Sequence, residues 1–430
     1  MTAAPTAGDA STPLPRSVQI GLLLVLAASF LHFWIHTSPV RLATSDDVAF
    51  QEVADQSQAA DYLAVNARGQ ARFFYSTPIY RYALFSPYEV RNAWTFGLLR
   101  AVGYFAQIGL VAWLAARVMQ SATFGAIVAL LLVGTLHLPL TFYLVLSFPP
   151  SWIGFSALLG ALHCHHTYLR RPAGWSGLMT GGLFLLAVLM HDVFIIFLPV
   201  FFALAWLQRK TGLPSLVRWN VGPATVAVAY VGVHRYFARE FPSAYAGTQF
   251  SPDFVVAAKV LVRQLIGVTP GFELLVNRVP ADTTGPLFRD LPAIRETLGT
   301  LAWADGLLAL VTALALAGAL NFCLCAPLPR ARLWPWALGC ACLANLPIAL
   351  SAKYQVFILH REYPYGYAWF SFCFLGLASA GALIHFGQRL PAGRLRRWFS
   401  TGICAGVFLL CLSALASNHR VLQILRERYN

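Results

Sequence analysis

Eleven apolar runs, at roughly 17–36, 93–116, 122–142, 151–169, 174–190, 193–208, 219–237, 301–324, 333–351, 367–386 and 398–416, constrain this chain more than any other feature. A helix needs about 20 apolar residues to cross a hydrocarbon core of about 30 Å, and most of these runs are close to that length. Only 11% of the 430 residues are charged and the mean hydropathy is +0.62, too little charge to cover a water-facing surface. The sequence therefore predicts an all-α polytopic membrane protein with about eleven transmembrane helices. The net charge of +14 does not call for nucleic acid as a partner, because the basic residues fall in short segments between apolar runs.

Those basic residues also set an orientation. With the N-terminus inside, the inner segments collect Arg16, Arg117, Arg170, Arg171, Arg209, Lys210, Arg218, Arg330, Arg332, Arg389, Arg394, Arg396 and Arg397, with Asp9 as their one acid. The remaining 16 of the 17 acids fall outside or at adjoining helix ends. Arg and Lys in short loops favour the cytosol, whereas long loops translocate whatever their charge. The expected organisation is a disordered cytosolic tail at 1–16 and a single transmembrane domain at 17–416. Periplasmic loops lie at 37–92 and 238–300, and a periplasmic C-terminal tail at 417–430. The first run ends without a clean small-x-small site, so it reads as a retained anchor. The amphipathic stretch from Val48 to Tyr62 suits a helix lying along the membrane surface.

Chemistry-bearing residues gather on the outer side. Thr44-Ser-Asp-Asp-Val-Ala-Phe50 puts Asp46 and Asp47 about ten residues beyond the first span. Carboxylates beside a bilayer are costly to desolvate and so point to function, yet the same residues are good helix-capping chemistry. Both readings hold together, since a cap does not use every oxygen of both acids. Downstream, Arg72 and Arg81 are interleaved with Phe73, Phe74, Tyr75, Tyr80 and Tyr82. Guanidinium forks suit phosphate oxygens, and snorkelling Arg beside anchoring Tyr is the competing account. Arg100, inside the second span, needs a partner such as Asp46, Asp47 or a ligand phosphate.

His191-Asp192 is the only polar break in the run from 174 to 208. The two halves, at about 24–26 Å each, are shorter than the hydrocarbon core. The turn should therefore lie slightly below the outer surface, facing protein or a water-filled cavity. A turn that merely caps both helices explains it equally well. Lys353-Tyr-Gln-Val-Phe-Ile-Leu-His-Arg-Glu-Tyr-Pro-Tyr365 reads as a short outer loop whose Lys353, His360, Arg361 and Tyr363 suit an anionic group, with pairing of Arg361 and Glu362 to neighbours as the competing account. His163-Cys-His-His166 cannot converge on one ion from a single helix and reads as interfacial. Cys323-x-Cys325 and Cys340-x-Cys342 turn their thiols to different helix faces and read as small core residues. No Gly-rich phosphate loop, serine nucleophile elbow or zinc-protease motif is present, which leaves ATP-driven chemistry unsupported.

Taken together, the first span, the outer Ser45-Asp46-Asp47 and the downstream Gln70-Ala-Arg-Phe73 resemble the GT-C integral-membrane glycosyltransferases. The likeness is to bacterial members that modify surface polysaccharides, whose first loop often reads Ser-Asp-Asp and then Gln-Gly-Arg-Phe. Ala71 departs from that pattern. His191-Asp-Val-Phe194 is similar to an aromatic-Glu-x-Phe turn of those proteins, and Tyr245-Ala-Gly-Thr-Gln249 to a Tyr-x-Gly-Thr segment in their second large loop. The resemblance implies sugar transfer from a polyprenyl-phosphate-linked donor to a glycan or lipid acceptor at the periplasmic face of a bacterial inner membrane. It implies Asp46 as base, Asp47 as a positioning or metal-coordinating acid, and Arg72, Arg81, Lys353 and Arg361 around the donor phosphate. A divalent cation is compatible with adjacent carboxylates, but GT-C enzymes include metal-independent members and no cofactor is required. A carrier or flippase for a lipid-linked sugar would use the same groups without chemistry. Transporters tend to carry repeats and broken helices at mid-membrane, and here the polar residues gather at one face.

Overall fold

The computed structural model describes residues 16–40, 45–137, 149–209, 212–242, 249–269, 291–325, 334–359 and 368–429, with side chains from Val48 onward in the second of these segments. The described residues form α-helices and short 3-10 turns, with one isolated bridge between Phe250 and Ser351. The first part of the chain supplies α1 (Arg16–Thr37), α2 (Ser45–Asp55), α3 (Ala59–Gly69), α4 (Pro78–Phe85), α5 (Ala93–Met119) and α6 (Ala122–Gly134). The middle supplies α7 (Pro149–Arg170), α8 (Gly174–Met190), α9 (Leu198–Arg209), α10 (Leu213–Trp219), α11 (Val221–Glu240) and α12 (Phe254–Gly267). Then come α13 (Leu291–Gly299), α14 (Trp303–Cys325), α15 (Trp334–Leu350), α16 (Ala352–Leu359), α17 (Ala368–Arg389) and α18 (Arg394–Tyr429).

Among the described residues, six helical segments are long and apolar enough to cross a membrane: Arg16–Thr37, Ala93–Met119, Asp192–Arg209, Trp303–Cys325, Ala368–Arg389 and Arg394–Gln423. Their outward faces carry bare aliphatic side chains. Leu23, Leu314 and Leu409 are each more than 60% exposed, which suits hydrocarbon and not water. Inside the bundle, large aromatic residues pack on one another, as where the buried Phe155 and Phe370 rings meet 4.6 Å apart. Buried Gln107 is paired: it donates to the Trp152 carbonyl at 2.7 Å and accepts from the Trp369 indole.

Helix starts follow ordinary capping chemistry. Asn92 accepts from the Thr95 amide at 3.0 Å, Ser121 from Phe124 at 3.2 Å and Asp253 from Val256 at 2.9 Å. Asp46 and Asp47 fall in the first turn of α2, where negative charge complements the helix dipole. The placement of their side chains lies outside the described residues.

The amphipathic stretch Val48–Tyr62 is helical on both sides of a break. It breaks at Gln56–Gln58, where Ser57 takes a left-handed φ of +57° and the Gln58 amide bonds back to Val53 at 3.1 Å. The break folds α2 over α3 and α4 around Phe50, Leu63, Phe74, Tyr80, Phe85 and Tyr88. This aromatic cluster packs on Met190, the last residue of α8, and so clamps the segment to one end of the bundle.

Three other expectations shift. Lys353 lies in α16 and not in an irregular loop. Residues 417–429, expected as a C-terminal tail, continue α18 as helix. The run starting at 193 opens as a 3-10 turn, Asp192–Phe197, before α9 begins.

Candidate functional site

Arg72 owes its position to the way α3 ends. Ala71 has a left-handed φ of +51°, its amide bonds to the Arg68 carbonyl at 3.2 Å, and the Arg72 amide bonds to Ala67 at 3.0 Å. This paired closure reverses the chain and sends the Arg72 side chain away from the α3 axis. A residue chain then braces it: Asn66 donates to the Tyr62 carbonyl, Gln70 to Asn66 at 3.1 Å, Tyr75 to Gln70 at 3.4 Å, and Arg72 to the Tyr75 hydroxyl at 3.3 Å. The guanidinium also lies 5.8 Å from the Phe74 ring and 5.9 Å from Tyr75. The Gln-x-Arg-Phe pattern is thus a local device: Gln70 holds Tyr75, and Tyr75 holds Arg72.

The second contributor is the break between α8 and α9. His191 is extended, with φ −163° and ψ 130°, and its Nδ1 accepts from the Val193 amide at 3.2 Å, so it does cap the following turn. It also leaves its own hairpin. The ring packs 5.4 Å from Phe74, and Nδ1 lies 2.9 Å from Asp192 Oδ1, to which it donates only when protonated, giving up the Val193 bond. Burial lowers the proton affinity of His191, an effect opposed by the Asp192 hydrogen bond. Burial likewise pushes the Tyr80 phenol well above its ordinary range, so it stays a neutral donor.

Arg72 and Asp192 meet at a cavity of about 300 Å³. Its far walls carry Tyr230 and His234 from α11, Tyr354 from α16, and Pro347 from within α15. The Tyr230 and His234 rings are stacked one helical turn apart, 6.1 Å between centroids and 9° from parallel. The Arg72 guanidinium and the Asp192 carboxylate line the same cavity. Tyr354 is held in place by the neighbouring Gln355, which donates to the Ala349 and Asp253 carbonyls and accepts from Ser251. Those bonds join the segment before α12 to the junction of α15 and α16.

The arrangement offers a guanidinium for anionic oxygens, a carboxylate and phenols for hydroxyl groups, and an imidazole able to move a proton. Residues far apart in sequence meet here: 72, 192, 230, 234 and 354. Of the residues expected at a site, Arg72 and Asp192 line this cavity, with His191 directly behind them. Lys353 stands beside it, its ammonium 5.7 Å from the Tyr354 ring. Arg81 is exposed on α4, away from the lining. Arg100 is buried in α5, donates to the Val40 carbonyl at 2.8 Å and lies 5.3 Å from the Phe96 ring, so it anchors the end of α1. His360, Arg361, Tyr363 and the Tyr245–Thr248 segment lie outside the described residues.

Tyr230, His234 and Tyr354 were not anticipated. The available signal was a polar pair four residues apart near the end of an otherwise apolar helix. The histidines at 163, 165 and 166 are buried and each bonds a different neighbour, namely the Leu110 carbonyl, the Phe201 carbonyl and Gln208. Comparison with protein-family models, curated proteins and solved structures returns no match.

Proposed function

We propose that the chain transfers a sugar from a polyprenyl-phosphate-linked donor to a glycan or lipid acceptor, at the periplasmic face of a bacterial inner membrane crossed about eleven times. The observation that carries this reading is the meeting of two motifs some 120 residues apart in sequence. Gln70-Ala-Arg-Phe73 and His191-Asp192 both resemble GT-C segments, and they share one cavity at a helix end. A volume of about 300 Å³ is at the small end for ligand pockets and suits a single sugar ring. Arg72, with Lys353 nearby, serves the donor phosphate as charge builds on the leaving group. Asp192 orients Arg72 and accepts from sugar hydroxyls. Asp46 takes the acceptor proton, and Asp47 positions it.

The test uses purified protein and a panel of synthetic short-chain polyprenyl-phosphate hexoses, with transfer and donor binding measured on the same samples. Asp46→Asn should lower turnover by about two to four orders of magnitude with donor binding nearly unchanged. Wild-type transfer by both Asp46→Asn and Asp47→Asn would remove both carboxylates as the base. Movement of the lipid-linked sugar across vesicles without transfer would instead establish a flippase.

A further inference from the structure

We infer that His32, His36 and His419 form a binding site for a zinc-class divalent transition metal, with Asp305 orienting two of the three imidazoles. The site shares no residue with the cavity described above and stands independently of the proposed sugar transfer. His32 and His36 are four residues apart in the last two turns of α1 and so lie on one helix face. His419 comes from α18 and Asp305 from the first turn of α14. One ligand atom from each histidine lies within 4.8 Å of the others. Two nitrogens bound to one tetrahedral zinc at about 2.1 Å each would be about 3.4 Å apart, so modest ring rotation closes the set.

The carboxylate sets the geometry. Asp305 is 1% exposed; its oxygens lie 2.8 Å from His32 Nε2 and 3.2 Å from His419 Nε2, and Oδ2 accepts from the Ala302 amide at 2.7 Å. A carboxylate that takes one ring N–H leaves the other ring nitrogen as a lone-pair donor, the usual support behind a metal-bound histidine. His36 is what a simple buried ion pair does not explain. Neutralising Asp305 needs at most His32 and His419, yet a third imidazole packs 4.3 Å from the first ring and 4.7 Å from the second. Three imidazoles turned together without a second carboxylate form a nitrogen set. Such a set selects zinc, nickel or copper over calcium or magnesium, which demand oxygen. A bound ion would pin the first helix of the chain to its last, beside the Arg426 bond to the His36 carbonyl at 3.2 Å.

The experiment uses the full chain without a polyhistidine tag, stripped by chelator in detergent and titrated with Zn²⁺ and, separately, Co²⁺. The expected result is one saturable equivalent per chain, visible-region Co²⁺ absorption of a four-coordinate site with three nitrogen ligands and a water, and a higher Tm with Zn²⁺ present. His36→Phe keeps a ring between His32 and His419, leaves the Asp305 bonds intact and removes one donor. It should weaken zinc binding at least 100-fold and abolish the Tm response. Asp305→Asn should weaken binding about 10–100-fold, the usual range for loss of a group that orients a ligand. Absence of a saturable equivalent in the wild type would overturn the assignment, as would unchanged affinity in His36→Phe.

Discussion

Arg72 shows how much of a side chain's behaviour is decided by its neighbours. Its direction follows from the left-handed Ala71, and its fork is steadied by Tyr75. Lysine is a poor substitute, because a point charge on a flexible stem cannot bond Tyr75 and a phosphate in one plane. Under the proposed function, Arg72→Lys should therefore weaken donor binding about tenfold, and Arg72→Ala more, in the same binding assay. Position 71 makes a separate prediction. An L-residue at φ +51° pays a steric cost of about 1–2 kcal/mol that glycine avoids, less glycine's greater entropy when unfolded. Ala71→Gly, the residue at this place in the resembling family, should raise stability by about 0.5–1 kcal/mol, read as a higher Tm in detergent. Ala71→Val should lower it, and equal Tm values for all three would contradict the left-handed closure.

Among elements, the clamp formed by α2, α3 and α4 is what brings Arg72 to Asp192. Phe74 is fully buried between Tyr75, Tyr80 and His191. Removing so large a ring costs about 3–5 kcal/mol in a packed core. Phe74→Ala should release the clamp from Met190, which limited proteolysis within residues 56–77 would detect while the rest of the bundle stays protected. From the opposite side, α7 approaches the His191-Asp192 turn so closely that only glycine fits at 154. A methyl group there would stand 2.4 Å from the Phe194 ring and 2.9 Å from the Met190 Cβ. Gly154→Ala should destabilise by about 1–3 kcal/mol and displace Asp192. The check is a lower Tm together with weaker donor binding; loss of stability alone would mean that the turn yields without moving the site.

For the whole molecule, the charge distribution makes the orientation testable. Reporter fusions near residues 65 and 270 should read periplasmic, and fusions near 214 and 392 cytosolic. A cytosolic reading at 65 would put the cavity on the wrong side for a lipid-linked donor made available in the periplasm. The sequence by itself determined the helical, membrane-embedded character of the chain, because apolar runs of helical length with so little charge have no other way to satisfy their backbone. It also marked Arg72 and His191-Asp192, since charge is conspicuous against an apolar background. It did not reveal that α2 and α3 are separate, because the break depends on a left-handed serine that carries no compositional signal. Nor could it place Tyr230, His234 and Tyr354 around Arg72, or bring His36 to His419 from 383 positions away. Such meetings are fixed by which helix faces pack together, and packing is a property of surfaces in contact, which no single segment contains.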